Sequence, residues 1–271
     1  FTANRDGDTD PQIYIIDIQN GGEAQRYTSL PGGASDPRWS PDGKRILFTS
    51  MVQSGQAPKT KSNARVFESF PIRYWDHWLD QKHAHIFVMD DAPGAIPKDI
   101  LANTKWSTTP GMAGPLATSG EDLSPVWTPD SKSIVFQSDI NRHEAAHAQV
   151  RTKIFLISAD GGEPQPLTSG AYSYSTPKFR PDGKALYVTE SREGIDNITY
   201  GINRLAMMPW PQGGVPKTIT ENIDRSIDSF LITPDSKSIF FTSEANGLGK
   251  LFMIPAAGGN PNEHPQKTGN Y

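Results

Sequence analysis

His143-Glu144-Ala145-Ala146-His147 is the one stretch of this sequence that reads directly as a reaction centre. Two histidines four residues apart share a face of an α-helix and hold zinc there, with the intervening glutamate as base. That chemistry needs a helix and a third ligand. The stretch instead falls between two strand-like runs, Ile134–Ser138 and Lys153–Ser158, with no apolar stripe to bury a helix. His77, His83, His85 and His264 offer no clear third position. A solvated interstrand loop is the expectation, with no metal and no other cofactor. Asp6, Asp8 and Asp10 have the alternate spacing of a calcium loop, but Gly7 and the missing glutamate at the twelfth position break that pattern. They read as solvated carboxylates of a hairpin turn. With no cysteine in the chain, disulfide and thiolate chemistry are excluded.

A second cluster lies in Thr60 to Gln81, where Phe67, Phe70, Tyr74, Trp75 and Trp78 are mixed with Arg65, Glu68, Arg73, Asp76 and His77. Asn63 reads as the cap of a short helix that Pro71 interrupts. Aromatic and charged side chains on an overhanging loop suit contact with a peptide. The alternative is that the aromatics pack the loop onto its own sheet.

These groups must be positioned by a repeat. Trp39-Ser40-Pro41-Asp42-Gly43-Lys44-Arg45-Ile46-Leu47-Phe48-Thr49-Ser50 returns, with the same polarity, from Trp127, Phe179 and Ile232. Proline fixes φ at the first central position of the turn, and aspartate tolerates the next. Gly43 and Gly183 can then take positive φ, whereas Ser131 and Ser236 hold that place at a cost of roughly 1 kcal/mol. The period-two run that follows reads as a strand with one buried face. A second hairpin follows each time, around Gly21-Gly22, Gly161-Gly162 and Gly213-Gly214. Four short strands per repeat indicate an all-β chain, a β-propeller of four-stranded antiparallel blades built from WD40-like (PD40) repeats. Trp39 and Trp127, at equivalent positions, read as interblade core, and Asp42, Asp130, Asp182 and Asp235 as structural turn residues.

The turn prolines are spaced 88, 52 and 53 residues apart, so the first interval carries about 35 residues too many. The expected layout is a half blade at 1–30 and blades at about 31–117, 118–170, 171–220 and 221–268, with an insertion at 52–84. Phe1-Thr2-Ala3 matches Phe48-Thr49-Ser50, and no further Pro-Asp turn follows Gly258-Gly259; an incomplete propeller, cut from a longer protein, is therefore expected. With 26 basic and 30 acidic side chains and no run of like charge, the surface suits neither nucleic acid nor an anionic membrane, and no stretch is long and apolar enough to span one.

Arg65-Val66-Phe67-Glu68 followed by Pro71-Ile72-Arg73-Tyr74-Trp75-Asp76-His77-Trp78 resembles the "RVYD…RHWDxW" stretch in the propeller of prolyl-oligopeptidase-family (S9) serine peptidases, in the dipeptidyl aminopeptidase V and acylaminoacyl-peptidase-like branch. Tyr74 stands where that family usually has histidine. The resemblance implies a non-catalytic propeller that caps an α/β-hydrolase domain of the same parent chain and admits short peptides. The hydrolase serine would sit in a Gly-x-Ser-x-Gly elbow, which is absent from these residues, so no catalytic residue is expected here. A peptide amine needs carboxylates or aromatic faces near it, which makes Glu68, Asp76, Trp75 and Trp78 the candidate substrate-binding residues. Arg73 is the candidate partner for a peptide carbonyl or carboxylate. The resemblance also implies export to the periplasm or the outside, with the cytoplasm as alternative. A different class of function, a TolB-like periplasmic propeller that binds proteins and catalyses nothing, shares the Pro-Asp repeats but has no need of the aromatic insertion.

Overall fold

A computed structural model of the chain describes residues 1–5, 7–53, 67, 72–74, 76–78, 82–92, 94–116, 122–195 and 200–264, with Tyr74 and His77 described by backbone alone. The chain divides into two compact units, Phe1–Val150 with Phe155–Gln165, and Arg151–Ile154 with Pro166–Tyr271.

In the first unit, β1 (Thr2–Ala3), β2 (Gln12–Ile15) and β3 (Gln25–Arg26) make a three-stranded sheet. Next come β4 (Ser35–Trp39) and β5 (Arg45–Gln53), a small hairpin of β6 (Arg73–Tyr74) and β7 (His77–Trp78), then β8 (Lys82–Asp90) and β9 (Lys98–Asp99). β4, β5, β8 and β9 pair in that order as one sheet, and among the described residues β6 pairs only with β7. A single turn of helix, α1 (Lys105–Thr108), is capped by Thr104, whose hydroxyl accepts from Ser107 N–H. The third sheet is β10 (Val126–Trp127), β11 (Ser133–Asp139), β12 (Thr152–Ser158) and β13 (Gln165–Pro166).

The second unit holds β14 (Ser173–Phe179), β15 (Ala185–Ser191), β16 (Arg204–Pro209) and β17 (Lys217–Thr218) as one sheet. Its other sheet is β18 (Ser229–Ile232), β19 (Ser238–Ala245), β20 (Leu248–Pro255) and β21 (Asn262–Glu263). Strands are paired antiparallel in sequence order, which is the connectivity of propeller blades.

The Pro-Asp turns join strand one to strand two in all four four-stranded sheets. At the third turn position φ is 70° and 71° for Gly43 and Gly183, and 61° and 63° for Ser131 and Ser236. Each turn aspartate is held locally. Asp42, Asp130 and Asp235 accept at 2.6 Å from the hydroxyl two residues earlier, Asp182 accepts from Arg180, and all four also accept from the lysine N–H two residues later. These bonds hold all four carboxyls below the ordinary aspartate value.

The second strand differs from the expectation of one buried face. Leu47 enters one apolar cluster with Ala84, Ile86 and Val88, while Ile46 and Phe48 enter another with Phe87 and Met89. A blade packed on both sides buries both faces of its middle strands, so the apolar run is continuous rather than alternating. Tyr187, on β15, likewise lies in the core of the second unit.

The tryptophan pair also splits. Trp127 is 7% exposed, donates from Nε1 to Arg38 O at 3.2 Å and lies under the Arg45 guanidinium. Trp39 is 49% exposed. The sheet before Trp127 has four strands and presents those two partners, whereas the sheet before Trp39 has three. Asp8 is a further correction: its side chain is buried rather than solvated, 2.7 Å from both Arg26 and the Tyr14 hydroxyl. The Tyr14 bond first, then the Arg5 N–H and the nearby Arg26, hold its carboxyl below the usual range. Asp6 lies outside the described residues.

Candidate functional site at the open ends of the blades

In every four-stranded sheet the connection from strand two to strand three leaves at the end opposite the Pro-Asp turn. In the last sheet this connection is only Asn246-Gly247, with φ of 56° and 75°. Elsewhere it is long, covering 54–81, 140–151 and 192–203. Loops carried by a rigid sheet are where binding groups concentrate. The aromatic cluster and the His-Glu-x-x-His stretch singled out from the sequence lie in the first two of these connections.

In 54–81, β6 and β7 pair with Arg73 opposite Trp78 and Tyr74 opposite His77. Cross-strand neighbours on one face touch. The Arg73 guanidinium accordingly sits 5.6 Å from the centre of the Trp78 ring. Phe67 stacks on Trp78 at 5.9 Å and 21°. Trp78 still keeps 46% of its surface exposed, and Asp76 is exposed in the turn between the strands. The structure thus brings Arg73, Asp76 and Trp78 into one hairpin. Glu68 and Trp75 lie outside the described residues, as does the helix expected at Asn63. An indole with a cation on its face and open surface beside it suits a peptide side chain or amine.

The His-Glu-x-x-His stretch in 140–151 does not make an α-helix. Arg142–Glu144 form a 3-10 turn, with i to i−3 bonds from Glu144 N–H to Asn141 O and from Ala145 N–H to Arg142 O. At three residues per turn, positions four apart leave the shared face that zinc requires. His143 makes a contact with its own neighbour Glu144, Nε2 to Oε1 at 4.0 Å. Gly111 packs beneath: a Cβ there would lie 2.2 Å from His143 Nδ1, and its φ is +86°. No group of three metal-ligating side chains occurs among the described residues.

Beside this turn lies a buried polar group that the sequence reading did not single out. His85 Nδ1 is 2.8 Å from Asp99 Oδ2, and Asp99 Oδ1 accepts from Leu101 and Ala102 N–H. The His85 ring meets Trp106 edge-on at 5.9 Å, and Trp106 Nε1 donates to Ser138 Oγ. His83, two residues earlier on β8, is pushed down to about 4, first by burial and then by the Arg142 guanidinium and His85. Arg142 itself is only 7% exposed. The signal in the sequence was the period-two pair His83 and His85 at the start of a strand, which places both on one face.

In the second unit the 192–203 connection starts from an ion network. Glu190, buried on β15, accepts from Arg192 Nε at 3.0 Å and from Thr218, and Arg192 also bonds Glu221 in a two-pronged pair at 3.2 and 3.1 Å. Arg192 covers the Tyr172 ring at 4.9 Å. The buried Lys153 ammonium is satisfied by Gly170 O and Tyr172 O, and burial pushes it down to about 8. Tyr174, opposite Glu190 in the sheet, is pushed up to about 12 by burial and by that carboxylate. Donors and acceptors in this network satisfy each other, so it orders the strand ends and leaves little to offer a ligand.

No family model matches the sequence. It is 26% identical over 251 residues to dipeptidyl-peptidase 5 of Porphyromonas gingivalis, a match spanning 89% of this chain and 35% of that protein. It is 26% identical over 285 residues to dipeptidyl-peptidase 5 of Arthroderma otae, covering 90% of this chain and 36% of that one. In sequence, this chain is similar to part of these dipeptidyl-peptidase 5 proteins. It spans about a third of the length of the curated relatives it matches. The chain aligns with Pyrococcus horikoshii acylaminoacyl peptidase at a TM-score of 0.64 and 15% identity, over 96% of this chain and 36% of that one. It aligns with TolB of Acinetobacter baumannii at a TM-score of 0.52 and 17% identity, over 93% and 48%. At such identities the structural likeness establishes a shared β-propeller fold of PD40 blades. No helix among the described residues is long and apolar enough to cross a membrane.

Proposed function

We propose that this propeller is the non-catalytic, substrate-gating part of a serine-type dipeptidyl or acylaminoacyl peptidase acting on short peptides. Its partner is an α/β-hydrolase domain of the same protein, and its place is the periplasm or the exterior. The observation that carries the reading is the hairpin at 73–78, in the connection between β5 and β8, which holds Arg73, Asp76 and Trp78 together. The match to about a third of each dipeptidyl-peptidase 5 relative is consistent with a catalytic domain elsewhere in the protein. Glu68 and Trp75 belong to the same proposed subsite by sequence. The propeller expected at 1–271, with blades bounded as the repeat spacing suggests, is the body that carries it.

The test is hydrolysis of free-amine dipeptidyl chromogenic substrates by the full-length protein, before and after Glu68→Ala. Cleavage with a raised KM in the variant is the expected result. A full-length protein that cleaves none of them favours the TolB-like reading, in which the same blades bind a protein partner and catalyse nothing. Cleavage with unchanged KM removes Glu68 from the subsite and leaves the gating role standing.

A further inference from the structure

Arg142 is a buried and poorly satisfied cation of the first unit. It is 7% exposed, yet its five N–H donors meet one described acceptor, Gly114 O, 3.4 Å from Nη1. Its Nε is buried with no partner. A buried donor of a charged group left unmet is costly, so such a group in a folded protein calls for an explanation. Asp139 supports the guanidinium through space, but its Oδ2 is engaged by Leu116 N–H at 2.8 Å. The neighbouring His83 and His85 bring no negative charge, and Asp99 is taken by His85, Leu101 and Ala102.

The unused donors have a shape. With Nη1 committed to Gly114 and Nε without a partner, the unpaired side is the Nε–Nη2 edge, two parallel N–H groups spaced to meet both oxygens of one carboxylate. We propose that this edge of Arg142 is a carboxylate-binding site, filled by the terminal carboxylate or an acidic side chain of a short peptide. His83 lies within electrostatic reach of Arg142, so its ring reports a negative charge that arrives there. The inference stands apart from the gating role, since carboxylate binding can be measured whether or not any peptide is cleaved.

Histidine-ring NMR on the intact protein tests it, with N-acetylglycine as a terminal carboxylate, N-acetylglutamic acid α-amide as a side-chain carboxylate and N-acetylglycinamide as the uncharged control, all at constant ionic strength. A saturable shift of the His83 ring with either carboxylate, and none with the amide, is expected. The carboxylate that binds more tightly identifies the source. Arg142→Lys keeps the charge without the fork and is expected to weaken binding about tenfold, while Arg142→Gln abolishes it. No saturable shift in the unmodified protein overturns the proposal without any variant, as does an equal response to the amide. Retained affinity in a folded Arg142→Gln protein overturns it too.

Discussion

Ser131 and Ser236 carry a positive φ that glycine would hold without strain, and the structure supplies the reason for keeping serine. The Asp42 N–H donates to Ser131 Oγ at 3.1 Å, and the Asp182 N–H donates to Ser236 Oγ at 3.0 Å. Each hydroxyl therefore joins its own turn to the turn of the preceding blade within the same unit. Ser131→Gly relieves roughly 1 kcal/mol of backbone strain and loses a bond worth a similar amount, so its stability should stay close to that of the parent. Ser131→Ala keeps the strain and loses the bond, and should be about 1–2 kcal/mol less stable. Urea titrations of the two variants against the parent decide this; an alanine variant as stable as the parent removes the staple. The turn itself was legible in Pro-Asp-Gly/Ser-Lys, but its partner was not. Local spacing says nothing about a contact 89 residues away in the chain.

His83 belongs to the same scale and sets a pH dependence. Its folded value of about 4 lies below the unfolded value of about 6.5, so acidification protonates the unfolded chain first. The contribution is whole above about pH 6.5, is lost as pH falls toward 4, and amounts to at most about 3 kcal/mol. His83→Gln should lose less stability between pH 7.5 and 5 than the parent does, by denaturant midpoint. Equal losses would show that burial does not hold the imidazole neutral.

Among the elements, the inner two strands share a device that the repeat contained but the sequence reading passed over. Ser35 and Thr49, Ser175 and Thr189, and Ser229 and Thr242 pair their hydroxyls across strand one and strand two at 3.2, 2.6 and 2.8 Å. In the remaining four-stranded sheet Gln137 takes the threonine's place and bonds the backbone at Asp122 O. Asp36, Ser124 and Thr176, each preceding a proline, have φ of 52°, 41° and 52°, and the pairing slips between Ser35 and Arg38 and between Ser175 and Lys178. These bulges bend the inner strand at like places, at a cost of order 1–3 kcal/mol each that the surrounding sheet must offset. Between sheets of the second unit, the buried Tyr187 hydroxyl donates to Ala256 O at 2.8 Å. Tyr187→Phe leaves that carbonyl unmet and should destabilise by about 1–3 kcal/mol, seen as faster amide exchange in both β15 and β20. A change confined to β15 would mean that the bond does not tie the two blades.

At the scale of the whole molecule, recurring apolar runs and turns made the blade architecture legible, because each blade repeats the same local solution. The candidate site was legible only as composition. A blade's function lies in the connection that departs from the repeat, and such a connection has no periodicity from which to infer its shape; nothing in the order of Arg73, Asp76 and Trp78 foretold the hairpin that sets Arg73 opposite Trp78. That hairpin carries the decisive experiment on gating. If it narrows the entry to a catalytic chamber, replacing 72–78 by a Gly-Ser linker should act in opposite directions on two substrates. A dipeptidyl substrate loses the Arg73–Trp78 face and its KM rises several-fold, about 1 kcal/mol for one partly exposed cation–π contact. A large unfolded protein such as casein gains access, and its rate of cleavage rises. The ratio of kcat/KM for the two, measured on the full-length enzyme, therefore falls if the hairpin selects by size. A parallel loss on both substrates would instead assign 73–78 to packing, and an unchanged ratio with unchanged KM would exclude it from the substrate path.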